Sequence, residues 1–233
     1  MADNVLSCSH VTKRFVSRGR FNDVLCDVNL DVRSGQVVAI RGRSGAGKTT
    51  LLQIMAGLDR PTAGRVEIAG QSLESLGAGA LAQLRRQTVG FIFQSFNLIP
   101  SWTAGQNVGA ALIHTPLARP ERHRKVREML ERLELDDRID YLPSELSVGQ
   151  QQRVAIARAL IHGPVIVFAD EPTGEVDPDT ARAVLDCLVG LVRGHGTTLV
   201  VCTHGDFPSG IADQSHLLHN GKLSPATPAQ SSA

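Results

Sequence analysis

Gly42, Gly45 and Gly47 lead into Lys48 and Thr49 within Gly42-Arg43-Ser44-Gly45-Ala46-Gly47-Lys48-Thr49-Thr50. The spacing fits G-x-x-x-x-G-K-[ST], and the chemistry of that pattern is the holding of phosphate. A triphosphate carries several negative charges, and side chains lining the loop would crowd it. Glycine lets backbone N–H groups approach the phosphates, forming an anion-binding nest at a helix N-terminus. Lys48 supplies a mobile charge between the β- and γ-phosphates, and the Thr49 hydroxyl suits Mg²⁺.

A second set extends this chemistry. Val165 to Ala169 is an apolar run that delivers Asp170 and Glu171 to its end. Two adjacent carboxylates suit separate duties: Asp170 can hold Mg²⁺, through water, and Glu171 can polarise a water aimed at the γ-phosphate. The same pair could simply cap a turn before Pro172. Gln94 and His204 each follow another apolar run, VGFIF and TTLVVC. An amide so placed can reach Mg²⁺ or the attacking water, and an imidazole can donate to the γ-phosphate. Either could equally be an ordinary loop residue.

These residues need elements to position them. Val37, Val38, Ala39 and Ile40 form a buried strand entering the phosphate loop, and Leu51, Leu52 and Met55 recur at helical spacing beyond it. Asn4 to Phe15 and Val24 to Val32 alternate as half-buried strands, and so does Arg65 to Ala69. Leu76 to Arg86, Arg119 to Leu135, Ser147 to Leu160 and Pro178 to Val192 read as helices, with Pro120 placed to start the second. Strand signals disappear between Ser95 and Gly149, so residues 95–150 form a helical insertion. Asn220-Gly221 marks a hairpin. Residues 224–233 (SPATPAQSSA) are expected to be a disordered tail. Strands alternating with helices predict an α/β sheet with the nucleotide at the strands' C-terminal ends.

The chain has 233 residues, 42% of them hydrophobic and 20% charged, enough for one sizeable core. Residues 1–223 are therefore expected to form a single domain. A net charge of +1 gives no electrostatic reason for nucleic acid as a partner. The basic run Arg119, Arg122, Arg124, Lys125 and Arg127 is interleaved with Glu121, Glu128 and Glu131, as on a solvated helix face. Cys8, Cys26, Cys187 and Cys202 are widely separated, without metal spacing, and read as buried thiols in a reducing cytosol. No apolar run approaches the roughly 20 residues that span a bilayer, and Met1-Ala2-Asp3-Asn4 lacks a signal pattern.

The full set resembles the ATP-binding cassette (ABC) ATPase family over nearly the whole chain. The phosphate loop, Gln94, the signature-like Leu146-Ser147-Val148-Gly149-Gln150, Asp170-Glu171, Gly174-Glu175-Val176-Asp177 and His204 stand in the family's order and at similar spacing. GFIFQSFNLIP, ELSVGQQQRVAIARAL and ADEPTG are most similar to the subgroup serving macrolide-efflux and lipoprotein-release transporters. The resemblance implies a P-loop core with a mixed sheet, an N-terminal antiparallel β-subdomain and a helical subdomain carrying the signature. It implies ATP and Mg²⁺ as cofactors, the metal at Thr49, Gln94 and Asp170. Phe15 would stack on adenine. Gly42, Arg43, Ser44, Gly45, Ala46, Gly47, Lys48, Thr49 and Thr50 would hold the phosphates. Catalysis would use Lys48, Gln94, Glu171 and His204.

Two such subunits, identical or different, would pack head to tail. Ser147, Gly149 and Gln150 of one would then meet the nucleotide of the other, with Asp177 aligning the pair. A separate membrane-spanning permease would be driven from the cytoplasmic face, and Phe96, Leu98, Ile99 and Trp102 could line the groove receiving it. A soluble non-transport ATPase of the same family is the alternative, although it typically carries two cassettes or a long coiled-coil insertion. A small-molecule kinase leaves Leu146 to Gln150 and His204 without a purpose. Two departures stand out: Val148 occupies a position usually glycine, and Glu175-Val176 replaces the usual Asn and Leu. If position 148 needed positive φ, valine would add strain of roughly 1–3 kcal/mol; in a helix it would cost little.

Overall fold

The computed structural model describes residues 4–17, 19–204, 207–208 and 210–226. The chain enters as a long hairpin, β1 (Asn4–Ser17) and β2 (Arg20–Arg33), followed by β3 (Val37–Arg41) and α1 (Lys48–Met55). Then come β4 (Ala63–Ile68), β5 (Gln71–Ser72), α2 (Ala78–Thr88) and β6 (Val89–Ile92). Three helices follow without an intervening strand: α3 (Ala104–Gly109), α4 (Arg119–Glu131) and α5 (Val148–Leu160). The chain continues through β7 (Ile166–Asp170), α6 (Pro178–Gly194), β8 (Thr198–Thr203), β9 (Gln214–His219) and β10 (Lys222–Pro225).

Two sheets result. β2-β1-β4-β5 is antiparallel, and the second has the order β10-β9-β3-β8-β7-β6. The four pairings from β9 to β6 are parallel, with β10 added antiparallel at the edge. Apolar residues occupy both faces of β3, β7 and β8, as strands covered on both sides require. Their alternation sorts two cores. Val37, Ala39, Val167, Ala169, Leu199 and Val201 face the layer built from α3 to α6. Val38, Ile40, Ile166, Phe168, Val200 and Cys202 face α1 and the antiparallel sheet. Burying one such side chain contributes about 1.5–3 kcal/mol, so this central sheet is the rigid platform for whatever its edge carries.

The helical insertion stands where the sequence places it, between β6 and β7. Pro120 lies in the first turn of α4, where its missing N–H costs no helical bond. The hairpin at Asn220-Gly221 has left-handed φ values of 49° and 73°, the turn geometry that an Asn-Gly pair favours. The tail needs correcting. Ser224 and Pro225 are not disordered but close β10, with Pro225 opposite His216; pairing with β9 supplies order that their composition does not advertise. Residues 227–233 lie outside the described residues. All four cysteines are free, but only Cys8 and Cys202 are buried; Cys26 and Cys187 are half-buried.

Candidate functional site

The phosphate loop leaves β3 after Arg41 and enters α1 at Lys48. Its glycines are required for different reasons. A Cβ at Gly42 would stand 2.6 Å from the Leu218 carbonyl oxygen, and one at Gly47 only 3.0 Å from Val24. Gly45 has open space but a φ of +76°, a backbone that L side chains rarely adopt. Gly47 is the N-cap of α1, left-handed at φ 98°, and gives the helix no side-chain cap. The first N–H groups of α1 are thus left to an incoming anion.

Lys48 is only 5% exposed. Its Nζ donates to the carbonyls of Gly42 at 2.9 Å and Arg43 at 3.2 Å, and pairs with Glu171 Oε1 at 3.1 Å. The other Glu171 oxygen, Oε2, is 2.9 Å from His204 Nδ1. Three residues from three separate strand ends therefore meet at one carboxylate. The sheet order β3-β8-β7 makes this possible, because Arg41, Thr203 and Asp170 stand side by side where those strands end. Glu171 itself has φ 46° and is fixed by its N–H to Cys202 O at 2.9 Å, and by Gly174 N–H to its own carbonyl at 3.0 Å. A left-handed glutamate at a strand end is a costly conformation retained where the side chain must point in one direction.

Asp170 is 5% exposed, and its Oδ1 is buried without a hydrogen-bond partner. Burial raises its pKa above the ordinary carboxylate value, a hydrogen bond from Thr49 pulls it down, Glu171 raises it and Lys48 lowers it. A carboxylate with one orphaned oxygen beside a hydroxyl is a hard oxygen pair that suits Mg²⁺. Among the described residues no group of three or more His, Cys, Asp or Glu could hold a metal. The pair therefore fits a cation that keeps most of its coordination for phosphate and water, as Mg²⁺ does.

Gln94 follows β6 by two residues, is exposed, and by the β6–β7 register stands on the same sheet edge as Glu171. Phe15 is 44% exposed on β1. Behind it stands a residue that the sequence did not single out: Lys13 Nζ lies 5.0 Å from the ring centroid, and is tied to Asp59 at 2.7 Å and to the Arg60 carbonyl at 2.7 Å. The strand's period of two, which puts Lys13 on the face of Phe15, was the available signal.

The signature residues are not at this centre. Ser147 is the N-cap of α5, its Oγ accepting from Gln150 N–H at 3.2 Å while Gln150 Oε1 accepts from Ser147 N–H at 2.9 Å. Among the described residues, the partners of Lys48 and Glu171 do not include these two or Gly149. A Cβ at Gly149 would lie 2.7 Å from Thr180 Cγ2, so glycine here also serves the packing of α5 on α6. Val148 is the first residue of α5, 43% exposed and absent from the left-handed positions. Valine therefore imposes no backbone strain. Asp177 caps α6 by accepting from Thr180 N–H at 3.0 Å.

Elsewhere, a cavity of about 650 Å³ opens between β6 and the helical layer, lined by Phe91, Phe93, His114, Arg158 and His162. Phe96, Leu98, Ile99 and Trp102 do not line it. Leu98 packs on the core, and Trp102 lines a second cavity of about 590 Å³ against α4.

A family model described as ABC transporter matches residues 25–174. The macrolide export ATP-binding/permease protein MacB of Salmonella typhimurium is 42% identical over 226 residues, covering 97% of this chain but 35% of MacB. The chain thus spans about a third of the length of that relative. The ABC transporter ATP-binding protein YtrE of Bacillus subtilis is 43% identical over 223 residues, covering 94% of this chain and 96% of YtrE. Among solved structures, the dimeric bacterial ABC transporter cassette MJ0796 superposes with a TM-score of 0.89 at 37% identity, covering 97% of this chain and 99% of that one. A dimeric post-hydrolysis state of MJ0796 bound to ADP and Pi gives 0.89 at 36% identity, with the same coverage.

Proposed function

The chain belongs to the ABC transporter family, and from that premise we propose that it binds and hydrolyses ATP to drive a membrane-spanning permease of the export or lipoprotein-release type. The observation that carries this is the meeting of Lys48, Glu171 and His204 beside the orphaned Asp170 Oδ1. Phe15 stacks on adenine, and residues 42–50 hold the phosphates through backbone N–H groups, Lys48 and the hydroxyls of Thr49 and Thr50. Lys48 exchanges Glu171 and two loop carbonyls for phosphate oxygens. That exchange frees Glu171 to orient and deprotonate water, with His204 holding its other oxygen and donating toward the γ-phosphate. Thr49, Asp170 and Gln94 are the residues to hold Mg²⁺, whose chemistry is to offset the charge gathering on the phosphates.

Ser147, Gly149 and Gln150 serve a second subunit, identical or different, which completes each site across the seam. The dimeric assembly of MJ0796 supports this reading. The names of MacB, an ATP-binding/permease protein, and of YtrE, an ABC transporter ATP-binding protein, support a permease as the partner. No helix among the described residues is long and apolar enough to cross a membrane. In this reading the subunit works against that permease at the cytoplasmic face.

Glu171→Gln tests the reading. It keeps the hydrogen-bonding shape but removes the base, so hydrolysis should slow on the order of 10²–10⁴-fold while ATP still binds. Light scattering after chromatography in ATP should then show an accumulated dimer. Unchanged turnover would remove Glu171 as the base.

A further inference from the structure

The helix that Ser147 caps makes a second contact, three turns later. Arg158 on α5 turns its guanidinium onto the segment that follows β6, donating from Nη1 to the Asn97 carbonyl at 2.6 Å and from Nη2 to the Phe96 carbonyl at 2.5 Å. Both acceptor residues are left-handed, Phe96 at φ 58° and Asn97 at φ 49°. Residues other than glycine rarely adopt that backbone unless their surroundings hold them in it. The turn just before is closed by Phe96 N–H to Phe93 O at 3.1 Å, with Gln94 at its second position. Gln94 is thus one step inside a turn whose exit is clamped by an arginine.

The clamp is no surface accident. Among the described residues Arg158 makes no ion pair with a carboxylate, and its partial burial lowers its pKa. A desolvated guanidinium satisfied by two carbonyl dipoles is a directional tie, stronger than a neutral hydrogen bond. The end of α5 bearing it is itself fixed to β6. A Cβ at Gly90 would stand 2.4 Å from the Ala159 carbonyl oxygen, and His162 Nε2 lies 3.2 Å from Val89 O. The last turns of α5, strand β6 and the segment carrying Gln94 therefore form one mechanical unit.

We propose that Arg158 is a positioning residue for Gln94, holding residues 94–97 so that the amide is presented at the sheet edge. Because Ser147 caps the same helix, the tie also links the half of the chain that serves its own nucleotide to the half that serves its partner's. This rests on the role given above to Gln94.

Hydrogen–deuterium exchange on the full chain tests the tie without nucleotide or metal. In Arg158→Met, peptides spanning residues 93–99 should exchange roughly ten- to a hundredfold faster, the scale of a lost charge-assisted bond, while peptides spanning 42–50 keep their rates. Unchanged exchange at 93–99 would overturn the proposal. In ATPase assays the same variant should lower kcat with ATP affinity unaltered, and Gln94→Ala/Arg158→Met should be no slower than Gln94→Ala alone. Losses that simply multiply would overturn it. Arg158→Lys can reach one carbonyl only and should fall between; if the methionine variant does not fold, wild-type exchange in the lysine variant is the overturning result. Wild-type turnover in Gln94→Ala would instead remove the role of Gln94 and with it the catalytic consequence, whatever the exchange shows.

Discussion

Helices α1 and α5 begin in opposite ways. α1 starts from a left-handed glycine, Gly47, with no side chain over its first amides. α5 starts from Ser147, whose hydroxyl and whose N–H are both engaged by Gln150. The same resource, a row of unpaired N–H groups with a favourable dipole, is left open in one and closed in the other. The open end lies beside its lysine and carboxylates, ready for an anion. The closed end is capped within the isolated chain, where Ser147 Oγ accepts from Gln150 N–H and keeps its O–H to donate to a new partner. The cap is worth about 1 kcal/mol to the helix, and in the proposed dimer the free O–H is what this end offers to the nucleotide of a second subunit. One half of the site is built in advance; the other is conditional.

Lys48→Ala attacks the open end and should have the largest effect on binding. Loss of a charged hydrogen-bonding group is worth about 1.5–3 kcal/mol, so ATP affinity in a fluorescence titration should drop roughly 10–150-fold. Retained affinity would mean that the amides alone hold the phosphates. Ser147→Ala attacks the closed end. First-nucleotide affinity should stay within about twofold, while ATP-driven dimerisation weakens about tenfold and stability falls by about 0.5–2 kcal/mol. Equal losses of both kinds would erase the distinction between the ends.

Asp170→Asn sharpens the comparison through stability. The folded-state pKa of Asp170 lies above its ordinary value of 3.8, raised first by burial. The folded chain therefore binds this proton more tightly than the unfolded chain, and its contribution to stability is full below 3.8 and declines as pH rises through the raised value. The asparagine variant should lack that decline and melt about 2–4 °C higher at neutral pH, with hydrolysis lost. Parallel melts of both proteins across that window would check it. Smallest of all should be Val148→Gly: helical and exposed, it should change turnover less than about twofold and lower stability by up to about 1 kcal/mol. A large gain in rate would show that valine does obstruct the closed end.

The two ends were not equally legible in the sequence. Strand, loop and α1 are contiguous, so a local pattern carried both the element order and the chemistry of Lys48 and Thr49. That Glu171 and His204 would sit near the loop followed from strand ends sharing an edge. That His204 would hold one oxygen of the Glu171 carboxylate and Lys48 the other depends on the order β3-β8-β7, which no local signal encodes. Val148 was ambiguous until its place inside α5 settled its backbone. Ser224 and Pro225 misled because their order comes from a neighbouring strand, not from hydrophobicity. Arg158 gave no signal at all, since its acceptors are carbonyls that every residue carries.

The walls of the phosphate loop come from distant parts of the polypeptide. Val24 presses on Gly47 from early in the chain, while Leu218 presses on Gly42 from near the last strand. A nascent chain lacks that second wall until the closing hairpin has been synthesised. During translation the most recognisable segment of this protein is therefore an unfinished cradle, and competence for its ligand arrives last, with the final few residues of the fold.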